Sequence, residues 1–298
     1  MKAALPLLCL LLTGPALTTV KAGEPAVEKA AELADKRIRE SSGLARSLRH
    51  PGILWTHNDS GGEPCLYAID TLGKTRAKVR IPKAAAFDWE DMTQGLDEEG
   101  NPWLFVGDIG DNFKIRPSLQ IYRIPEPDLP ADAEKEMLSA EPEIWHVAYP
   151  KGRYNAECLM WDPRSRLLYI VTKEENGDSL LFKIPPPKDL AKTATMERVA
   201  SLTFPSRARP GKQPSMACQV TSGDFSPDGS RLVISTYNFL HEWKIRKGQS
   251  LEEALKAPAS IIQAPLMRQL EAACYDRDNL TLWMTSEQLP TPLYRIRR

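Results

Sequence analysis

The chain has 298 residues, 42% hydrophobic and 26% charged, with 39 basic side chains balanced by 39 acidic ones. That balance excludes a global field for attracting nucleic acid or an anionic membrane surface, so any charge-based function is local. The composition is that of an ordinary globular protein, long enough for one large domain or two small ones.

Residues 1–22 read as an export leader: Lys2, an apolar run over 3–12, then small residues and a cleavage position after Ala22. The run is too short to span a bilayer, and the location it implies is secreted or periplasmic. Beyond the leader stand Cys65, Cys158, Cys218 and Cys274, an even number compatible with disulfides or with buried free thiols. There is no CxxC pair, which argues against a structural zinc site.

Residues 27–38 carry the Ala, Glu and Lys of a short helix, but they lead directly into a repeating β pattern. Strand-like segments fall at 53–57, 65–70 and 77–81, then at 103–106, 119–124 and 143–149. The succession returns at 167–172, 180–184 and 197–204, again at 231–237, 240–245 and 260–264, and last at 280–285 and 293–298. In the cycles after the first, tight-turn segments (DEEGNP, DPRSR, SPDGS, DRDN) separate the opening segment from the following strand, as hairpins require. Each cycle opens on a polar marker: Ser42 or Glu40 in ESSGLA, Glu90 in DWEDM, Glu157 in NAECLMWDP, Asp224 in SGDFSPDG, and Glu271 in LEAACYDRD.

From Ser42 the markers are spaced by 48, 67, 67 and 47 residues, the scale of four-stranded propeller blades once insertions are allowed for. Pro-rich stretches at 126–141 and 205–213 supply those insertions. The expected fold is therefore all-β, a five-bladed β-propeller with six blades as the alternative, formed by residues 23–298 as one domain. The final cycle lacks an outer strand, and residues 27–33 are placed to provide it and close the ring.

A propeller gathers the starts of its innermost strands and the loops between its second and third strands on one face. Ser42, Glu90, Glu157, Asp224 and Glu271 then form a ring at the channel. Like charges so crowded need a proton or a cation between them. Oxygen ligands favour Ca²⁺, although the same residues can simply satisfy backbone N–H groups of neighbouring blades. HNDSG and GDIGDN bring further groups to this face. His57, Asp108 and Asp111 are candidate bases, and Asn58, Asp59, Asn112, Arg116 and Lys173 are candidate substrate-binding residues. Trp89, Trp161 and Trp243 are expected to pack between blades.

The motifs ESSGLA, HNDSG, DWEDM and GDIGDN resemble a group of exported bacterial β-propeller proteins related in architecture to SMP-30/gluconolactonase and phytase-like propellers. A looser similarity is to five-bladed, calcium-dependent nucleotidases of the apyrase type. That similarity implies a central Ca²⁺ held by Ser42, Glu90, Glu157 and Glu271, with Asp224 where such proteins more often place Ser. The expected activity is metal-dependent hydrolysis of a phosphate ester or a lactone-like ester at the channel face. The alternative is a non-catalytic propeller that binds a small molecule or protein there around a structural metal. No GxSxG elbow supports a serine hydrolase. A monomer is expected, without a nucleic-acid partner or stable membrane insertion.

Overall fold

The computed structural model describes residues 26–133, 135–206 and 216–298. The expected leader over 1–22 and most of the insertion at 205–213 lie outside them. The described residues form five small sheets in a ring, a five-bladed β-propeller.

The first strand, β1 (Ala26–Glu32), belongs to the last blade. Blade one follows as β2 (Ser41–Arg46), β3 (Ile53–Asn58), β4 (Cys65–Asp70) and β5 (Thr75–Arg80). Blade two is β6 (Trp89–Leu96), β7 (Pro102–Asp108), β8 (Leu119–Pro125) and, after β9 (Glu136–Leu138), β10 (Glu143–Ala148). Blade three comprises β11 (Ala156–Asp162), β12 (Leu167–Thr172) and β13 (Asp178–Ile184), then β14 (Ala194–Thr195) as a detour before β15 (Glu197–Thr203). Blade four is β16 (Val220–Phe225), β17 (Arg231–Thr236), β18 (Phe239–Lys244) and β19 (Ser260–Gln263). Blade five is β20 (Leu270–Tyr275), β21 (Leu282–Ser286) and β22 (Pro292–Arg297), completed by β1.

Ring closure takes the form expected. β1 pairs antiparallel with β22, from Ala26 opposite Arg297 to Glu32 opposite Pro292. The helix that the composition of 27–38 allows does not form there, because the last blade offers a ladder that would otherwise end as an open edge. The insertion at 126–141 is less passive than a surface loop, and so is the connection ahead of β15. β9 pairs in parallel with β5 of the preceding blade, and β14 does the same with β10. Each thereby adds a fifth strand to the blade before it.

The core lies between the blades. Trp55, Trp89, Met92 and Tyr122 fill the space between blades one and two, and Met160, Val171, Phe225 and Trp243 fill that between blades three and four. Trp161 lies against Gly95 of blade two, where even a Cβ would come within 2.8 Å of the indole. The three tryptophans thus act as packing. Cys65, Cys158, Cys218 and Cys274 are buried free thiols, so the reduced alternative applies. The single α-helix among the described residues, α1 (Leu251–Ala254), has a Ser250 cap. No helix among them is long and apolar enough to cross a membrane.

Candidate active site at the channel mouth

One local device repeats in all five innermost strands. The pairing register slips between Ser41 and Gly43, between Trp89 and Asp91, between Ala156 and Cys158, between Val220 and Ser222, and between Leu270 and Ala272. Each slip is a β-bulge with one extra residue, which turns a side chain out of the strict alternation. The extra residues are Ser42, Glu90, Glu157, Thr221 and Glu271. Four of them are expected members of the ring; the fourth blade supplies Thr221 instead of Asp224. The signal was available in the turns. Counting back five residues from Asp162, Ser226 and Asp276, which close the inner strands of blades three to five, reaches Glu157, Thr221 and Glu271.

The mouth is crowded with negative charge. Glu90, Glu157 and Glu271 are buried, and half-buried Glu40, Asp59, Asp88 and Glu287 stand close enough to act on them or on one another. Burial first, then the carboxylates of Glu157, Asp59 and Asp88, push Glu90 well above the usual range. Glu271 is raised in the same way by burial, Glu157 and Glu287. Burial and Asp59 push Asp88 up to about 6. Lys173 is the ammonium set among them. It donates to Glu157 and, at 2.7 Å, to the Tyr237 hydroxyl. Burial pushes Glu157 up to about 7 while Lys173 pulls the other way. Glu271 accepts a hydrogen bond from Gln269 Nε2 at 2.9 Å.

Glu90 differs from Glu157 and Glu271: among the described residues no hydrogen bond or ion pair reaches its carboxylate, although it is only 5% exposed. Carboxylate oxygens of Asp59, Asp88 and Glu90 lie within 4.8 Å of one another. Gly110 makes this gathering possible, since a Cβ there would stand 2.4 Å from both the Asp88 and Glu90 carboxylates. A second group, Glu63, Cys65 and Glu136, is equally close. Its carboxylates are already neutralised by Lys78 and Arg80.

The candidate bases occupy other positions. His57 is fully buried, with Nδ1 2.9 Å from the Asn58 carbonyl and its ring edge-on to Trp89. Burial lowers its pKa to about 4, so it is neutral. Its Nε2 fills the space that a side chain at Gly43 would take. Asp108 is fully buried and ion-paired with Arg116 at 2.7 Å. Asp111 accepts the backbone N–H groups of Ile115 and Arg116, which makes it a loop cap. Asn58 accepts from the backbone N–H groups of Arg39 and Glu40 and donates to the Arg37 carbonyl. Arg116 donates to the Gly110 carbonyl and lies over the Phe87 ring.

Of the other candidates, Asp59 joins the acidic cluster, whereas Asn112 and Lys173 line an adjoining cleft of about 320 Å³ with Lys114, Asn155, Glu174 and Gln219. Asn155 Nδ2 donates to Asn112 and, at 3.5 Å, to Glu157, linking cleft and ring.

Deeper in the channel the same strands present a different arrangement. Asp91 accepts hydrogen bonds from the Leu159 backbone N–H at 3.0 Å, the Ser222 hydroxyl at 3.1 Å and the Met92 backbone N–H at 2.8 Å. Ser222 accepts from the Ala273 N–H. Asp224 lies at this level, accepting from the Tyr275 N–H at 2.9 Å, from Arg46 at 3.0 Å and from Gln94 at 3.4 Å. It holds blades together and does not face the mouth.

No family model and no curated protein matches the chain. Among solved structures it is similar to XC5397 from Xanthomonas campestris, described as a gluconolactonase important in glucose secondary metabolic pathways. That match has 12% identity and a TM-score of 0.48, and covers 95% of this chain and 93% of the other. The hydrazine synthase of Kuenenia stuttgartiensis matches at 9% identity and a TM-score of 0.39, over 82% of this chain and 61% of that one. The present chain thus spans less than two thirds of the latter. Neither likeness bears on the chemistry of the mouth.

Proposed function

We propose that the channel mouth binds a divalent cation, Ca²⁺ foremost, and hydrolyses an ester there, lactone-like or phosphate. The observation that carries this reading is Glu90, a buried carboxylate with no hydrogen-bond or ion-pair partner among the described residues, facing Asp59 and Asp88 across a gap of ion size. An all-oxygen donor set of this kind suits Ca²⁺ and related hard cations. The leader-like residues 1–22 support an exported enzyme, and calcium is plentiful outside cells.

A bound cation would neutralise the three carboxylates and polarise the carbonyl or phosphoryl oxygen of the substrate. The chain's own groups supply the rest. Glu157, held in place by Lys173, accepts a proton from water as the water oxygen adds to the acyl carbon or phosphorus. The ester C–O or P–O bond then breaks, and the leaving oxygen recovers a proton from Glu157. One water is thereby added across the bond. Lys173 keeps its proton, because Glu157, Tyr237 and Glu271 together outweigh the effect of burial, and its charge stabilises the oxyanion. Glu157 thus takes the role first expected of His57, Asp108 or Asp111.

The test combines calcium titration by calorimetry with turnover. Chelator-treated wild type is expected to bind one Ca²⁺, whereas Glu90→Gln and Gly110→Ala bind none. Turnover of a lactone or an aryl phosphate is expected to need calcium and to fall at least a hundred-fold in Glu157→Gln. Wild type that binds no calcium would overturn the reading. A second reading, a non-catalytic binding propeller with a structural cation, is favoured by one observation: His57, Asp108 and Asp111 all have their polar atoms engaged or buried away from the mouth. Calcium binding without turnover in a broad esterase and phosphatase screen would select it.

A further inference from the structure

The acidic mouth is flanked on one side by largely exposed apolar side chains. Phe87, Phe113 and Ile115 are 69%, 85% and 64% exposed. All three belong to blade two: Phe87 stands just before Asp88, and Phe113 and Ile115 lie in the loop between β7 and β8, on the face where β6 begins. Folding leaves most of these side chains in water, and water contact with two such rings is unfavourable.

Their position relative to the carboxylates is fixed by contacts already described. Gly110, in the same loop, stands where any side chain would run into the Asp88 and Glu90 carboxylates, and Phe113 follows three residues later, within roughly 10 Å of backbone. Arg116 ties the loop to the mouth by donating to the Gly110 carbonyl at 2.7 Å and pairing with Asp108, while its guanidinium lies 5.1 Å from the centre of the Phe87 ring. Asp111 caps the loop through Ile115 and Arg116. The rim is therefore held beside the cation cluster, in the same loop whose Asn112 and Lys114 line the adjoining cleft.

We infer that the Phe87, Phe113 and Ile115 rim is the binding surface for the alkyl or acyl part of the substrate, so that the ester taken at the mouth is an amphiphilic one, with a hydrocarbon tail on an otherwise polar head. This rests on the hydrolase reading above. The tail lies on the rim and the ester group reaches the carboxylates; hydrolysis adds one water across the acyl C–O bond and yields a hydroxy acid whose tail is unchanged. Each tail carbon laid on an open apolar rim is expected to gain about two-fold in kcat/KM, less than the full burial of a methylene would give.

δ-Valerolactone and δ-decanolactone share a ring and differ by a five-carbon tail. Calcium-loaded wild type is expected to favour the longer by roughly thirty-fold in kcat/KM. Phe113→Ser combined with Ile115→Ser, both at exposed loop positions, is expected to bring that ratio below about three. Leu72→Ser, an equally exposed apolar site on the opposite face, is expected to keep it. Equal turnover of the two lactones by wild type, or an unchanged ratio in the double variant, would overturn the inference. If neither lactone is turned over, the hydrolase reading fails and the rim is tested separately by calorimetry of the calcium-loaded protein with acetate and octanoate. Tighter binding of octanoate, lost in the double variant, supports the rim; equal binding, or none, overturns it.

Discussion

Glu90 and Asp91 are consecutive residues of one strand, both buried, both carboxylates raised by burial, and they have opposite surroundings. Asp91 is met by two backbone N–H groups and a hydroxyl, which tie blade two to blades three and four. Glu90 is met by other carboxylates. The bulge between Trp89 and Asp91 creates this difference, since it lets two adjacent side chains both serve the channel, at different depths. Burial of a charge is therefore no guide to its role here; what the charge faces is. The deep level uses carboxylates as cross-blade fasteners, and the mouth sets several of them against one Lys173.

The contrast can be broken most severely at the deep level. Arg46→Met leaves Asp224 buried without its cation, and a loss of about 3–5 kcal/mol in urea unfolding is expected. The mouth responds to pH with the sign of raised carboxylates. Glu157 titrates near 7 in the folded protein against 4.5 as its ordinary value, so the folded state holds the extra proton between those limits. Its contribution is fully present below about pH 4.5 and is lost as pH rises through 7. The metal-free protein should thus lose on the order of 3 kcal/mol over that window, and saturating calcium should remove most of the slope. Stability that is flat in pH without calcium would contradict the crowding.

Asp91→Ala strips partners from the Leu159 N–H and the Ser222 hydroxyl, and about 2 kcal/mol of destabilisation is expected from the same unfolding measurement. Glu90→Gln, one residue away, is expected to do the reverse. Removing one like charge should stabilise the metal-free protein by about 1 kcal/mol and abolish the rise in Tm on adding calcium. Destabilisation in both variants would erase the distinction between the two levels.

The ring of blades is legible in the sequence because turn chemistry and alternation are local: DPRSR, SPDGS and DRDN mark hairpins whatever the rest of the chain does. Glu90, Glu157 and Glu271 are legible for the same reason, recurring at the start of a strand. The fourth blade misleads because Asp224 matches them in chemistry and Thr221 matches them in register, and the bulge that decides between the two leaves no trace in composition. His57, Asp108 and Asp111 mislead differently. Asn, Asp and His in a Gly-rich loop serve equally to cap backbone groups and to do chemistry, and only the partners of each atom tell which. Asp88 is conspicuous in DWEDM, but its place in the carboxylate cluster depends on Gly110 from the next loop. The fifth strands β9 and β14 are too short, and too far in sequence from the strands they join, for a periodic pattern to expose them.

Pairing residue 26 with residue 297 also fixes when the mouth can exist. Bringing together segments some 270 residues apart costs about 5 kcal/mol in chain entropy, an expense met only once β22 is present to receive β1. A growing chain therefore carries an open stack of blades whose acidic lining is spread along an arc. The last carboxylates to arrive, Glu271 and Glu287, belong to the very blade that the first strand completes. Closing the circle and assembling the charge cluster are one event, which makes the grip of residues 26–32 a control on the site although no side chain of that strand reaches it.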